Sequence, residues 1–172
     1  MNIVKQLIWL TGLSGSGKTS IANALRPLLA NCYILDGDVL RGGINQDLQF
    51  SEEDRIEAGR RTGEIANILL HAGLNVIVAS ISPHRATRNK VRSLVGDAFI
   101  EVFVQCPLEV CEQRDPKGLY RKARSGEITH FTGIDSPYEE PVDPDVIVET
   151  NKLSLDACVA RIMEFVALNR KD

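Results

Sequence analysis

The chain has 172 residues, 44% of them apolar and 25% charged, a balance that excludes disordered and fibrous classes and predicts one domain, 1–172, with one core. Its net charge of −3, with no long block of lysine and arginine, excludes electrostatic affinity for nucleic acid or a membrane surface, so an anionic ligand must be held by local groups. The longest apolar runs, such as Asn75-Val76-Ile77-Val78-Ala79, are too short to span a bilayer and the N-terminus carries no signal-peptide pattern, which points to the cytoplasm.

Short apolar runs alternate with longer amphipathic segments, which predicts the α/β class, with βαβ units on a mainly parallel, five-stranded sheet. In chain order, a strand over 6–11 leads to a helix over 18–29, and a second strand covers 32–36. Ser51-Glu52-Glu53-Asp54 has the form of a capping box and starts a helix that runs to His71 and is stopped by Gly73. On that helix Ile65, Ile68, Leu69 and Ala72 recur at three-and-four spacing and predict a buried face, while Arg55, Arg60 and Arg61 gather near its start. A strand over 75–80, a helix over 85–95 closed by Gly96, and a strand over 99–104 follow. Pro107 opens a short helix to Gln113, and beyond a strand over 145–149 Ser154 caps the last helix. The stretch 115–145 is dense in charge, Gly and Pro, with one short helix over 119–125, and is expected to fold over a site as a lid. Cys32, Cys106, Cys111 and Cys158 lack zinc-ligand spacing and are expected as reduced, mostly buried thiols.

Where the first strand ends, Gly12-Leu13-Ser14-Gly15-Ser16-Gly17-Lys18-Thr19 matches the phosphate loop GxxxxGK[ST], followed by Ser20. Unpaired amides at a helix start, together with the helix dipole, attract phosphate there. The glycines let the backbone wrap the anion, Lys18 reaches the β- and γ-phosphates, and Thr19 offers its hydroxyl to Mg²⁺. The expected fold is therefore of the P-loop NTPase type, three layers α/β/α. The second strand ends in Leu35-Asp36-Gly37-Asp38, two carboxylates at the carboxyl edge of the sheet. The third ends in Ala79-Ser80-Ile81-Ser82, without the acid that a Walker B strand gives to Mg²⁺, so Asp36 or Asp38 is the expected replacement. A carboxylate here also takes or orients the proton of an acceptor hydroxyl; a solvated acidic turn is the plainer reading.

Beyond the loop, "LDGDVLR", "FSEEDR", "ISPHRATR", "RDPKGLY" and "FTGIDSPYE" occur in this order, and with the loop they resemble the adenylylsulfate kinase (APS kinase) family over residues 7–150. The resemblance implies phosphoryl transfer from MgATP to the ribose 3′-hydroxyl of adenosine 5′-phosphosulfate, giving PAPS and ADP for sulfate assimilation, by a homodimer. It implies that Asp38, Arg41 and Arg55 meet the acceptor nucleotide, that Phe50 and Phe131 stack on its base, and that Lys117 closes over substrate phosphates. Ser82 matches a serine proposed in some members to carry a phosphoryl group; direct in-line transfer is expected instead, with Ile81 and Ser82 shaping the acceptor pocket.

The family usually reads "GFS" where this chain has Gln49-Phe50-Ser51, and "NIRR" where it has Ala58-Gly59-Arg60-Arg61. The absent asparagine removes a directional donor and acceptor, and a sister kinase acting on another nucleotide, such as cytidine diphosphoramidate, is the second reading. A non-catalytic nucleotide sensor would need neither Asp36, Asp38 nor Lys117. A GTPase switch would need an N/TKxD motif, and Thr150-Asn151-Lys152-Leu153 lacks the aspartate. His84 lies where it could bind phosphate or shuttle a proton. His71 and His130 are assigned capping or packing, Trp9 the core, and Tyr120 and Tyr138 the anchoring of the lid.

Overall fold

The computed structural model describes residues 5–169. Its central strand, β1 (Leu7–Thr11), is buried along its whole length, and the two-residue strand period divides it between two cores. Ile8 and Leu10 join one cluster, Leu7 and Trp9 the other. Around it lie β2 (Cys32–Asp36), β3 (Asn75–Ala79), β4 (Phe99–Gln105) and β5 (Val146–Glu149) in the order β2-β3-β1-β4-β5, every pair parallel. On one face α1 (Lys18–Leu25) and α7 (Leu155–Leu168) bring Ile21, Leu25, Ile162 and Val166 onto the sheet. On the other, α3 (Glu52–His71) and α4 (Arg85–Val95) bring Ala66 and Val91. The three expected layers and five strands are present, each strand within a residue of its predicted span. Among the described residues no helix is long and apolar enough to cross a membrane.

Three local expectations change. The first helix ends at Leu25 rather than at 29, because Pro27 has no amide for the next α-helical bond and the chain tightens into a 3-10 turn over Arg26–Leu28. The acidic turn after β2 is a short helix, α2 (Gly37–Arg41), whose N-cap is Asp36. The buried face of α3 is also not the predicted one: Ile68 is 66% exposed and Ala72 is exposed, while Thr62, Gly63 and Ala66 are buried. The displacement follows from α4, which lies so close that a Cβ on Gly59 would stand 2.4 Å from Thr87 Cγ2 and one on Gly63 2.6 Å from Val91 Cγ2. Ile65 and Leu69 pack only at the margin of this seam.

At the start of α3, Ser51 Oγ accepts the amide of Asp54 at 3.1 Å. Asp54 does not return the bond to Ser51 but takes the amide of Gln49 at 2.8 Å, which ties the preceding loop to the helix. The predicted lid carries α6 (Leu119–Arg124), preceded by α5 (Leu108–Arg114), for which Pro107 is the N-cap rather than the first helical residue. The four cysteines are free thiols, three of them buried.

Gly63→Ala tests the seam. In an open helix the change stabilises by about 1 kcal/mol. Here the new methyl meets Val91 Cγ2 at 2.6 Å, so the sign should reverse to a loss of about 1–2 kcal/mol in a denaturant melt.

Candidate active site

The carboxyl end of β1 opens into the 12–17 loop. A Cβ on Gly12 would stand 2.5 Å from the Val104 carbonyl, so only glycine lets the loop start this close to β4. Gly17, at φ 105°, forms the left-handed N-cap of α1. The first bond into the helix runs from the Ile21 amide to the Gly17 carbonyl at 3.0 Å, which leaves the amides of Lys18, Thr19 and Ser20 without intrahelical partners.

Three groups hold the loop from behind. Tyr120 Oη donates to the Ser14 carbonyl at 2.8 Å, Arg114 Nη1 to the Gly15 carbonyl at 3.3 Å, and Thr150 Oγ1 to the Ser16 carbonyl at 2.7 Å. In a trans peptide the amide opposes the carbonyl, so fixing the carbonyls of Ser14 and Ser16 outward directs the amides of Gly15 and Gly17 toward the mouth. The Tyr120 bond also anchors the lid, as does Tyr138, whose hydroxyl lies 2.8 Å from Thr11 Oγ1 and whose ring stacks on Phe103. Trp9 is wholly buried, in the core as expected.

Lys18 is 8% exposed and donates to the carbonyls of Gly12 at 2.8 Å and Leu13 at 2.7 Å, and to Ser16 Oγ at 3.5 Å. Burial pulls its pKa from 10.5 down to about 8. Thr19 and Ser20 are exposed at the mouth. Thr19 Oγ1 donates to Asp36 Oδ2 at 2.9 Å, while Asp36 Oδ1 caps the Asp38 amide at 2.9 Å. The two residues expected at a metal thus meet, and the same carboxylate sets the direction of α2. Asp38 faces the lid and pairs with Lys117.

On the side expected to meet the acceptor, Arg41 donates to the Gln49 carbonyl at 3.1 Å and covers the Phe50 ring at 4.3 Å. Arg55 ties the Phe50 carbonyl at 3.1 Å to the His130 carbonyl at 2.6 Å, so the segments carrying Phe50 and Phe131 meet through it. Both guanidinium pKa values are lowered, chiefly by burial, and that of Arg55 next by the charge of Arg41. Phe50 is 38% exposed, whereas Phe131 is buried edge-on against Tyr120 at 5.0 Å. Only Phe50 therefore presents its ring at the surface. A cavity of about 340 Å³ opens between Phe50, Arg55, His84, His130 and Glu139. His84 Nδ1 lies 4.0 Å from Glu139 Oε1, and its Nε2 has no hydrogen-bond partner among the described residues.

Ser82 has φ 47°. Its Oγ accepts the Trp9 indole N–H at 3.0 Å and lies 2.5 Å from Ser80 Oγ. Arg60 and Arg61 are engaged elsewhere, with Glu57 and with Glu57 and Asp47. Arg88, Arg114 and Thr150 carried no expected role from the sequence, although Arg88 and Arg114 lie within the motifs quoted above; for Arg88 the available signal is a charged residue beside Thr87 and Val91 on the buried stripe of α4.

A phosphate loop at the carboxyl end of β1, bonded through Thr19 and Asp36 to the acidic start of α2, and a cavity lined by the Arg55 guanidinium make the protein, by class, a phosphate-loop kinase. Residues 5–149 match the family model described as adenylylsulphate kinase. The adenylyl-sulfate kinase of Lactiplantibacillus plantarum is 54% identical over 166 residues, 94% of this chain and 80% of its own length. That of Clostridium kluyveri is 52% identical over 165 residues, 94% of this chain and 83% of its own. The structure of Mycobacterium tuberculosis APS kinase in complex with AMPPNP and APS superposes with a TM-score of 0.91 at 45% identity, over 96% of this chain and 99% of that one. The chain belongs to the adenylylsulphate kinase family.

The Lys18 environment has a measurable consequence. Because burial holds its folded pKa near 8, below its ordinary 10.5, the stability penalty is full below the folded value and fades as pH rises between the two. Phosphate oxygens beside Lys18 favour its charged form. Nucleotide binding above about pH 8 should therefore take up a proton, with affinity falling by up to about tenfold per pH unit. Titration calorimetry in buffers of different ionisation enthalpy reads this uptake, and Lys18→Met should abolish it.

Proposed function

We propose that the protein transfers the γ-phosphoryl group of MgATP to the ribose 3′-hydroxyl of adenosine 5′-phosphosulfate, giving PAPS and ADP in sulfate assimilation, and that residues 1–172 act as one kinase domain in the cytoplasm. The observation that carries this reading is the 2.9 Å contact of Thr19 with Asp36, which sets the acceptor-side helix α2 against the nucleotide loop. The relatives' names, and the APS and AMPPNP of the mycobacterial complex, supply the two reactants.

The residues divide the work. Residues 12 and 14–20 hold the triphosphate through their amides, and Lys18 leaves the loop carbonyls for the β- and γ-phosphates. Asp38, released from Lys117, orients the 3′-hydroxyl and receives its proton, while Lys117 turns to the transferring group. Arg41 and Arg55 take the phosphosulfate, an exchange of neutral carbonyls for anionic oxygens. The base stacks on Phe50, with Phe131 closing the pocket from its buried position. Mg²⁺ fits this site. No cluster of three or more His, Cys, Asp or Glu that could hold a metal exists among the described residues, but Thr19 and Asp36 offer hard oxygen donors that suit an ion completing its shell with phosphate oxygens and water. Bound there, it offsets charge on the phosphates.

Ser82 supports in-line transfer because its hydroxyl is already held by Trp9 and Ser80. The protein is read as a homodimer, and Ile44 and Ile68 are both more than half exposed; the alternative is a hexamer, as in the hexameric APS kinase of Thiobacillus denitrificans, 25% identical with a TM-score of 0.71. Sedimentation distinguishes them.

ADP release is the direct assay, with APS and cytidine diphosphoramidate as acceptors. Magnesium-dependent turnover with APS is expected; preference for the cytidine acceptor would make this a sister kinase, and equal release without acceptor an ATPase. Lys18→Ala and Asp38→Asn should each lower kcat by about 100-fold or more. Ser82→Ala should lower it by no more than about tenfold, against the far larger loss that a covalent phosphoserine route requires.

A further inference from the structure

Arg88 is 1% exposed within α4, and its guanidinium reaches three separate segments. Nε donates to Glu101 Oε1 of β4 at 2.7 Å, Nη1 to the Ser82 carbonyl at 2.5 Å, and Nη2 to the Glu139 carbonyl at 2.7 Å. Glu101 is fixed in turn: Arg92 Nη2 lies 3.6 Å from its Oε2, and Asp145 Oδ2 accepts both the Glu101 amide and Arg92 at 2.7 Å. Burying such a pair costs desolvation that an apolar pair of the same shape avoids. The ion pair with Glu101 would join α4 to β4 no better than apolar packing, so the guanidinium is explained by its other two arms.

Both arms hold backbone on the acceptor side. Ser82 has a left-handed φ of 47°, an uncommon conformation for a residue with a side chain. It is kept there by Arg88 on its carbonyl and Trp9 on its hydroxyl, while Thr11 Oγ1 donates to the neighbouring Ile81 carbonyl at 2.7 Å. Glu139 donates its amide to the Pro83 carbonyl at 2.9 Å, and the guanidinium lies 5.9 Å from the Tyr138 ring. Arg88 therefore closes a ring through β4, the 80–85 loop and the far end of the lid.

We propose that Arg88 is a positioning residue for the acceptor nucleotide: it locks the wall formed by Ile81 and Ser82 to the lid at Glu139, so that the acceptor hydroxyl is held in line with the loop-bound phosphate. The proposal rests on the reading of Ile81 and Ser82 as the acceptor wall. A lysine carries its three donors on a single nitrogen, so it cannot span the three segments that the guanidinium reaches from three separate nitrogens.

Trp9 is the sole tryptophan of the chain, and its bond to Ser82 makes its emission a reporter of this wall. In the native protein APS, added in the presence of ADP, should shift that emission; a silent Trp9 at saturating APS would overturn the acceptor wall and, with it, the proposal. Given a responsive Trp9, Arg88→Lys should raise KM for APS by about tenfold or more, leave KM for ATP within about twofold, and weaken the emission shift. An unchanged KM for APS, or equal rises for both substrates in step with a falling Tm, would overturn the role of Arg88 while leaving the acceptor wall standing. Should Arg88→Lys fail to fold, Arg88→Met/Glu101→Leu leaves no lone buried carboxylate; the same selective rise is expected, and a native KM for APS would refute the assignment.

Discussion

The ammonium of Lys18 is carried inside the loop by two backbone carbonyls at 2.8 and 2.7 Å and by a hydroxyl at 3.5 Å, with no carboxylate bonded to it. Neutral oxygens replace only part of the hydration that burial removes, and its pKa of about 8 records the deficit. A cation in this state favours an anion at the loop mouth more strongly than a hydrated lysine would. The rest of the fold keeps that mouth in shape: β1 delivers the loop from the centre of the sheet, Gly12 is pressed against β4, and the lid and β5 ends pin successive carbonyls from outside.

The side proposed for the acceptor has the same arrangement. Arg41 and Arg55 stand around one aromatic ring with backbone carbonyls as their hydrogen-bond partners, and each is disfavoured in its charged form by burial. Both halves of the site thus hold cations on neutral oxygens, which a charged ligand outcompetes because hydrogen bonds between ions are shorter and about twice as strong. Asp36 joins the halves, with one carboxylate oxygen on Thr19 and the other on the first turn of α2.

The strands were legible in the sequence because a parallel strand buried on both faces reads as one apolar run; Leu7-Ile8-Trp9-Leu10 and Val76-Ile77-Val78-Ala79 are of this kind. The phosphate loop and the Asp36-Gly37-Asp38 pair were legible because their chemistry is local in sequence. The α3 seam was not, since periodicity weighs large apolar side chains and the contact there is made by Gly59, Thr62, Gly63 and Ala66. Nor was α2: five residues give too little period to separate a helix from a turn. The Trp9–Ser82 and Arg88–Glu139 bonds join residues 73 and 51 positions apart, and polar partnerships of that separation leave no local trace.

The tightness of the α3–α4 seam has a mechanical consequence. With Thr87 and Val91 seated where side chains at positions 59 and 63 would otherwise be, the two helices have no slack in which to slide past each other, and well-packed interiors resist continuous deformation. They behave as a slab, carrying Arg55 at one end and Arg88 within it. Rearrangement around a substrate then falls to segments outside the slab, such as 42–51 and the lid, and proceeds without disturbing the sheet beneath.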